Sequence, residues 1–257
     1  MNEPLDQWES ALNQAITHMD PCIVERAVVV NTAPSTQDLA TQIRAESGQT
    51  TAVIASTQTQ GRGQRGAQWH DGESHTLAMS FALETNLPPH HIAARAGLAA
   101  LDTCARALPN ETVLIRFPND IIVRTNQGDR KLAGVLAEQH SGQTTIGIGI
   151  NVHQRAHDFD HSIRDRAASL TMFHVEQSRI DLSIDLLTNL SRWMTSDDES
   201  VRRRWSESDG VVGTRATFLS ANQSHTGVVT HIDPIGTITL DHTTQLDVRL
   251  TRNAPRD

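Results

Sequence analysis

The period of the apolar positions changes several times along the chain, and each change marks an element. Leu5, Trp8, Leu12, Ile16 and Met19 fall at three- and four-residue steps and predict a helix that stops before Pro21. "AVVVNTA" (27–33) reads as a strand, and "PSTQDLATQIRAESG" as a helix capped by Ser35 or Thr36 and ended by Gly48. Strands are expected at 50–56 and 75–83, then a long Ala- and Leu-rich helix over 90–110 closed by Pro109-Asn110. Further strands follow at 113–117 with Ile121–Val123 behind it, at 133–139 and at 144–152, and the short turns between them favour antiparallel neighbours. Leu182, Leu186, Leu187, Leu190, Trp193 and Met194 share one helical face. From about residue 210 the pattern switches to short strands broken by Gly, Asn and Asp, which predicts a small β-barrel of about 45 residues.

Composition narrows this picture. A chain of 257 residues suits one large domain with a small appendage. The formal charge of -8 supplies no general attraction to phosphate backbones and no local basic module stands out, so no nucleic-acid partner is expected. Cys22 and Cys104 lie far apart with no C-x-x-C, and no apolar run approaches the roughly 20 residues that span a bilayer. A soluble, cytoplasmic protein with no membrane partner is the expectation.

The stretch "STQTQGRGQRGAQWH" (56–70) spells G-x-G-x-x-G with Gly61, Gly63 and Gly66, right after a strand. A dinucleotide fingerprint would need those glycines to open a helix. Only nine residues, "AQWHDGESH", separate Gly66 from Thr76, too few for a crossover helix, and no Gly-Lys-Ser/Thr follows to make a P-loop. The loop instead carries Arg62 and Arg65. Glycine admits close backbone approach to an anion and arginine supplies a forked cationic donor, so an anion-holding loop competes with a solvated turn.

The order of the other polar clusters decides between them. "PSTQDLA" precedes the loop, and "RFPNDIIV" (116–123), "KLAGVLAE" (131–138) and "IGIGINVH" (146–153) follow it. From about residue 27 to 152 these motifs resemble the biotin protein ligases, and the C-terminal barrel matches that family's usual ending. The resemblance implies an α+β fold: a mixed or antiparallel sheet flanked by helices, of the class II synthetase-like kind, with a C-terminal SH3-like barrel. It divides the chain into an N-terminal extension (1–26), a catalytic domain (27–207) and a C-terminal domain (208–257). About 26 residues ahead of the first strand leave no room for a DNA-binding domain, so a monofunctional type is expected.

What the resemblance implies chemically is a two-step reaction. Biotin and ATP, with Mg2+, give biotinyl-5'-AMP and pyrophosphate, and a lysine of a biotin carboxyl carrier protein then attacks the mixed anhydride. Ser35, Thr36 and Gln58 would hydrogen-bond the ureido ring of biotin, beside Gly61, Gly63 and the backbone at Gly134. Arg62 and Arg65 would hold carboxylate and phosphate, and Lys131 would bridge the two as a point charge. Asn119 and Asp120 would lie near the nucleotide and its magnesium, with Asp120 receiving a proton from the acceptor lysine. Trp69 would stack on adenine and Asn151 hydrogen-bond its edge, while Gly147 and Gly149, alternating with isoleucines, leave one strand face bare for ligand contact. Homodimerisation through a sheet edge is also implied.

The chain departs from the family loop at Gln64 and Ala67, where arginines are common, which predicts weaker retention of the adenylate. Gln37 stands where Asn often follows Ser-Thr. A lipoate or octanoate ligase or transferase of the same fold, and a non-catalytic biotin-binding module, remain open alternatives. His153, His157 and His161 at four-residue steps could bind zinc on a helix, but no helical apolar pattern supports that geometry, and a solvated loop is expected.

Overall fold

The computed structural model describes residues 5–63, 69, 75–140 and 143–253. Its larger sheet has seven strands: β1 (Arg26–Ala33), β2 (Thr51–Gln58), β3 (Thr76–Leu83), β4 (Thr112–Arg116), β5 (Asp120–Thr125), β6 (Gly128–His140) and β7 (Gln143–Asn151). Their order is β1-β2-β3-β7-β6-β5-β4. β1 and β2 run parallel because helix α2 (Thr36–Ser47) returns the chain across the sheet, and every other neighbouring pair is antiparallel. The mixed sheet is therefore as expected.

Three more helices, α1 (Leu5–His18), α3 (Pro89–Ala107) and α4 (Arg179–Thr195), bury their apolar stripes in one core against the sheet, joined by α5 (Asp198–Ser208). Pro89 occupies the first turn of α3, where its missing N–H costs nothing, and the helix ends at Ala107 rather than running to residue 110. The opposite face of the sheet receives α2, which packs Ala40 on Val53 and Ala82. Gly48 ends α2 in the left-handed conformation as expected, its N–H bonded to the Arg44 carbonyl. Ser35 holds the N-cap position, yet its side chain makes no capping bond.

Alternation along β7 sends Ile146, Ile148 and Ile150 into the main core and turns Gly147 and Gly149 to the α2 side. The bare face belongs to the face on which α2 begins, and that geometry positions the site.

The C-terminal residues form β8 (Arg215–Ser220), β9 (Gln223–Ile232), β10 (Thr237–Leu240), β11 (Thr244–Asp247) and β12 (Thr251–Asn253), a five-stranded antiparallel sheet ordered β11-β10-β9-β8-β12. A single 3-10 turn, Val248–Leu250, carries the chain from one edge strand to the other. This five-stranded antiparallel sheet is consistent with the expected SH3-like domain, and among the described residues β11 and β12 are its two edges. Its apolar side, with Phe218, Val229 and Ile238, is continuous with the main core. No helix among the described residues is long and apolar enough to cross a membrane.

Candidate functional site

The N-terminus of α2, the end of β2 and the middle of β3 meet at three polar side chains. Gln58 Oε1 accepts from both the backbone N–H and the hydroxyl of Thr36, at 2.8 and 2.9 Å. Because the single Thr36 hydroxyl proton is committed there, Ser80 Oγ donates to Thr36 Oγ1 across 2.7 Å. This relay fixes the Gln58 amide, with Oε1 on Thr36 and Nε2 turned toward Gly61. Nothing local in the apolar strand "TLAMSFAL" marked Ser80 as a partner, beyond its being a lone hydroxyl in that run.

Lys131 reaches the same cavity through an irregularity in β6. Ile121 pairs with Ala133 but Ile122 with Lys131, so Leu132 is the extra residue of a bulge. The Lys131 backbone bonds instead to Arg166 O and Ala168 N, at 2.6 and 2.8 Å. Its Nζ then lies 2.6 Å from Asp120 Oδ1 and 5.7 Å from the centre of the Trp69 ring. Lysine on this sequence is therefore strand-borne rather than part of a solvated turn. Asn119, from the turn before β5, donates its Nδ2 to Val135 O at 2.7 Å and accepts from Val135 N, which extends the pairing of β5 with β6.

Trp69 closes the space between these groups. Its backbone N–H donates to Gly61 O, and its half-buried indole lies over the bare strand face: a Cβ on Gly149 would stand 2.5 Å from the ring and one on Gly134 3.2 Å. The glycines thus admit this indole, and Gly147 and Gly149 also line the cavity beside it. At Gly147 the occupant is Gln37, whose amide reaches Leu136 O and Glu138 Oε2, both at 3.3 Å. Arg62 forms ion pairs with Asp38 at 2.8 Å and Glu138 at 3.1 Å. All three side chains are well exposed, so each pair contributes about 0–1 kcal/mol and mainly orients the guanidinium.

Together these residues line a cavity of about 300 Å³. Of the expected site residues it contains Thr36, Gln58, Arg62, Gly63, Trp69, Asn119, Asp120, Lys131 and Gly134. Gly61 supports it from behind, and Ser35 is buried outside its lining. Asn151 is not on its wall: buried, it donates to Ala168 O at 2.9 Å and accepts from Gln154, so it ties β7 to the following segment. Arg65, Gln64, Gly66 and Ala67 lie outside the described residues. Sequence reasoning missed Ser80, the carboxylates around Arg62, and Asn253, which lines the cavity from β12.

Other candidates fare less well. His157 is exposed on the 3-10 turn Ala156–Asp158, and no group of three or more potential metal ligands occurs among the described residues. Burial pushes the Cys104 thiol well above its ordinary range, which keeps it protonated and unreactive.

A mixed sheet that offers a neutral hydrogen-bonding cluster at one end of a cavity and two cations with an indole at the other defines a site for a small ligand with a polar uncharged head and anionic groups. The family description Biotin/lipoate A/B protein ligase family matches residues 29–154, and this part of the chain is a domain of that family. The bifunctional ligase/repressor BirA of Bacillus subtilis is 28% identical over 204 residues, 74% of this chain and 61% of BirA, so the alignment spans less than two thirds of that protein. The biotin-(acetyl-CoA-carboxylase) ligase of Mycobacterium tuberculosis is 28% identical over 228 residues, 83% of this chain and 82% of its own length. Among solved structures, the biotin protein ligase from Aquifex aeolicus in complex with biotin and ATP superposes with a TM-score of 0.75 at 22% identity, covering 89% of this chain and 99% of that one. That likeness establishes the fold.

Proposed function

We propose that the protein activates biotin with ATP and transfers it to a lysine of a biotin carboxyl carrier protein. The observation that carries this reading is one cavity holding the Thr36–Gln58–Ser80 relay together with Lys131, Arg62 and Trp69. The relay suits the neutral ureido ring of biotin, which needs fixed donors and acceptors rather than charge. In the first step a biotin carboxylate oxygen attacks the α-phosphorus of ATP and pyrophosphate leaves. Both reactants are anions, and Arg62 and Lys131 offset their repulsion and the charge that builds on the phosphoryl oxygens. In the second step the ε-amine of the carrier lysine attacks the acyl carbon, AMP leaves, and Asp120, a carboxylate on the cavity lining, takes the proton lost by the amine. Magnesium would enter with the substrate as MgATP, and Asp120 is the lining carboxylate that would add a ligand to it.

The lipoate or octanoate alternative fits less well, since an unbranched acyl tail makes no use of a fixed amide and two hydroxyls. The deciding experiment is intact-mass analysis of an apo carrier domain incubated with the protein, MgATP and, in parallel, biotin, lipoate or octanoate. A single ATP-dependent biotin adduct supports the ligase, a lipoyl or octanoyl adduct alone replaces it with the sister activity, and no adduct refutes both. Lys131→Ala should reduce adduct formation by at least about 100-fold, the scale of losing one preorganised charge at a developing anion; turnover within a few-fold of the unmodified protein would remove Lys131 from the mechanism.

A further inference from the structure

The turn that carries Pro118, Asn119 and Asp120 is held from two sides. On one side β6 grips it, through the two Asn119–Val135 hydrogen bonds and the Lys131–Asp120 ion pair. On the other side the grip comes from the C-terminal sheet. Phe117, the first residue of the turn, sets its ring edge-on against Phe218 of β8 at 6.2 Å, and Asn253 of β12 donates its Nδ2 to the Phe117 carbonyl at 2.6 Å. Asn253 and Phe218 are paired in register, so ring contact and hydrogen bond come from facing positions of one sheet edge. Asn253 itself also lines the cavity, beside Pro118 and Asn119.

We propose that Asn253 is a positioning residue for adenylate formation, acting through the Phe117 carbonyl to hold Pro118, Asn119 and Asp120 as the wall of the cavity that faces the nucleotide. The C-terminal sheet is then part of the active site and not an appendage to it. This inference rests on the ligase reading above. Its physical content is a split between the two substrates. The relay of Thr36, Gln58 and Ser80 is built from α2, β2 and β3, elements that take no part in the Asn253–Phe117 contact. Loosening the turn therefore weakens the use of ATP and leaves the biotin end untouched.

The test uses the full chain in biotin-dependent ATP–pyrophosphate exchange, with direct biotin binding by calorimetry and a thermal melt alongside. Asn253→Ala should raise the KM for ATP about 3- to 10-fold, the size of one net hydrogen bond, with biotin Kd within about twofold of the unmodified protein. Asn253→Asp, which sets an acceptor against the carbonyl, should do worse, and Asn253→Gln, which keeps the amide donor on a longer stem, should recover part of the loss. An unchanged KM for ATP in Asn253→Ala overturns the inference. So does a parallel fall in both substrate affinities and in Tm, because that pattern marks a merely structural contact. Absence of exchange in the unmodified protein sinks the ligase reading and the inference with it, whereas an active protein with an indifferent Asn253→Ala sinks the inference alone.

Discussion

Gly149→Ala adds one methyl group where the structure has no room for it. The new Cβ would stand 2.5 Å from Cε2 and Cζ2 of Trp69, against an ordinary contact of 3.4 Å, so a displacement of about 0.9 Å is required. Which partner moves follows from their anchors. Gly149 sits in a central strand, paired with Ala78 of β3 on one side and Gly134 of β6 on the other, and those ladders resist a shift. The hydrogen bond to Gly61 O comes from the Trp69 backbone N–H, while the indole itself makes no hydrogen bond among the described residues and is held by contact with the glycine faces, so the indole yields. Overpacking of this kind costs about 1–3 kcal/mol. If that cost falls on the position of the ring and so on nucleotide binding, it corresponds to a loss of about 5- to 150-fold in ATP affinity. Steady-state exchange at saturating biotin should show the rise in KM for ATP, and a thermal melt should move by no more than about 2 °C, since the sheet keeps its register. A variant with unaltered KM, or a structure of Gly149→Ala with the ring still in place, would refute the argument.

Two more outcomes follow from the same geometry. Thr36→Val keeps the shape but removes the hydroxyl that links Gln58 to Ser80, so biotin Kd by calorimetry should weaken about 5- to 30-fold; an unchanged Kd would separate the relay from biotin. Asp129 lies between Arg124 and Arg116, and the hydrogen bond from Arg124 is the main reason its carboxyl sits below the ordinary 3.8, against an opposing effect of burial. A carboxyl lowered on folding contributes stability above its unfolded pKa and loses it as pH falls through the folded one. Asp129→Asn should therefore cost about 1–2 kcal/mol at pH 7, and its gap to the unmodified protein should narrow below about pH 4; a gap constant down to pH 2 would contradict the pairing.

Much of the architecture was legible along the chain. Helical spacing placed α1 and α4, the strand-polar turn-helix succession from residue 27 to 48 gave the crossover that makes β1 and β2 parallel, and Gly48 ended α2 where expected. The alternation in "TTIGIGINV" announced a bare strand face. What fills that face did not follow from the alternation, because Trp69 and Gln37 arrive from segments distant in sequence. Asn151 shows the same limit from the other direction: its place in the motif suggested a ligand contact, but its register beside Ala168 gives its amide a backbone partner. Strand-rich spacing likewise signalled a small C-terminal β unit without revealing whether its edges join.

The sequence by itself determined which residues would be buried and at what local period, because burial of a side chain depends on the face of its own helix or strand. It also supplied the polar residue types, and their order, from which the chemistry could be named. Tertiary structure alone decided which of them meet. Thr36, Gln58 and Ser80 are 22 and 44 residues apart at the distances of their two bonds, and Asn253 and Phe117 are 136 apart. Such pairs are fixed by sheet order, by a one-residue bulge at Leu132 that aims Lys131 at Asp120, and by the docking of one sheet edge on another. Each of these is a long-range choice, and a local pattern holds no record of it because the same period is compatible with several partners and registers.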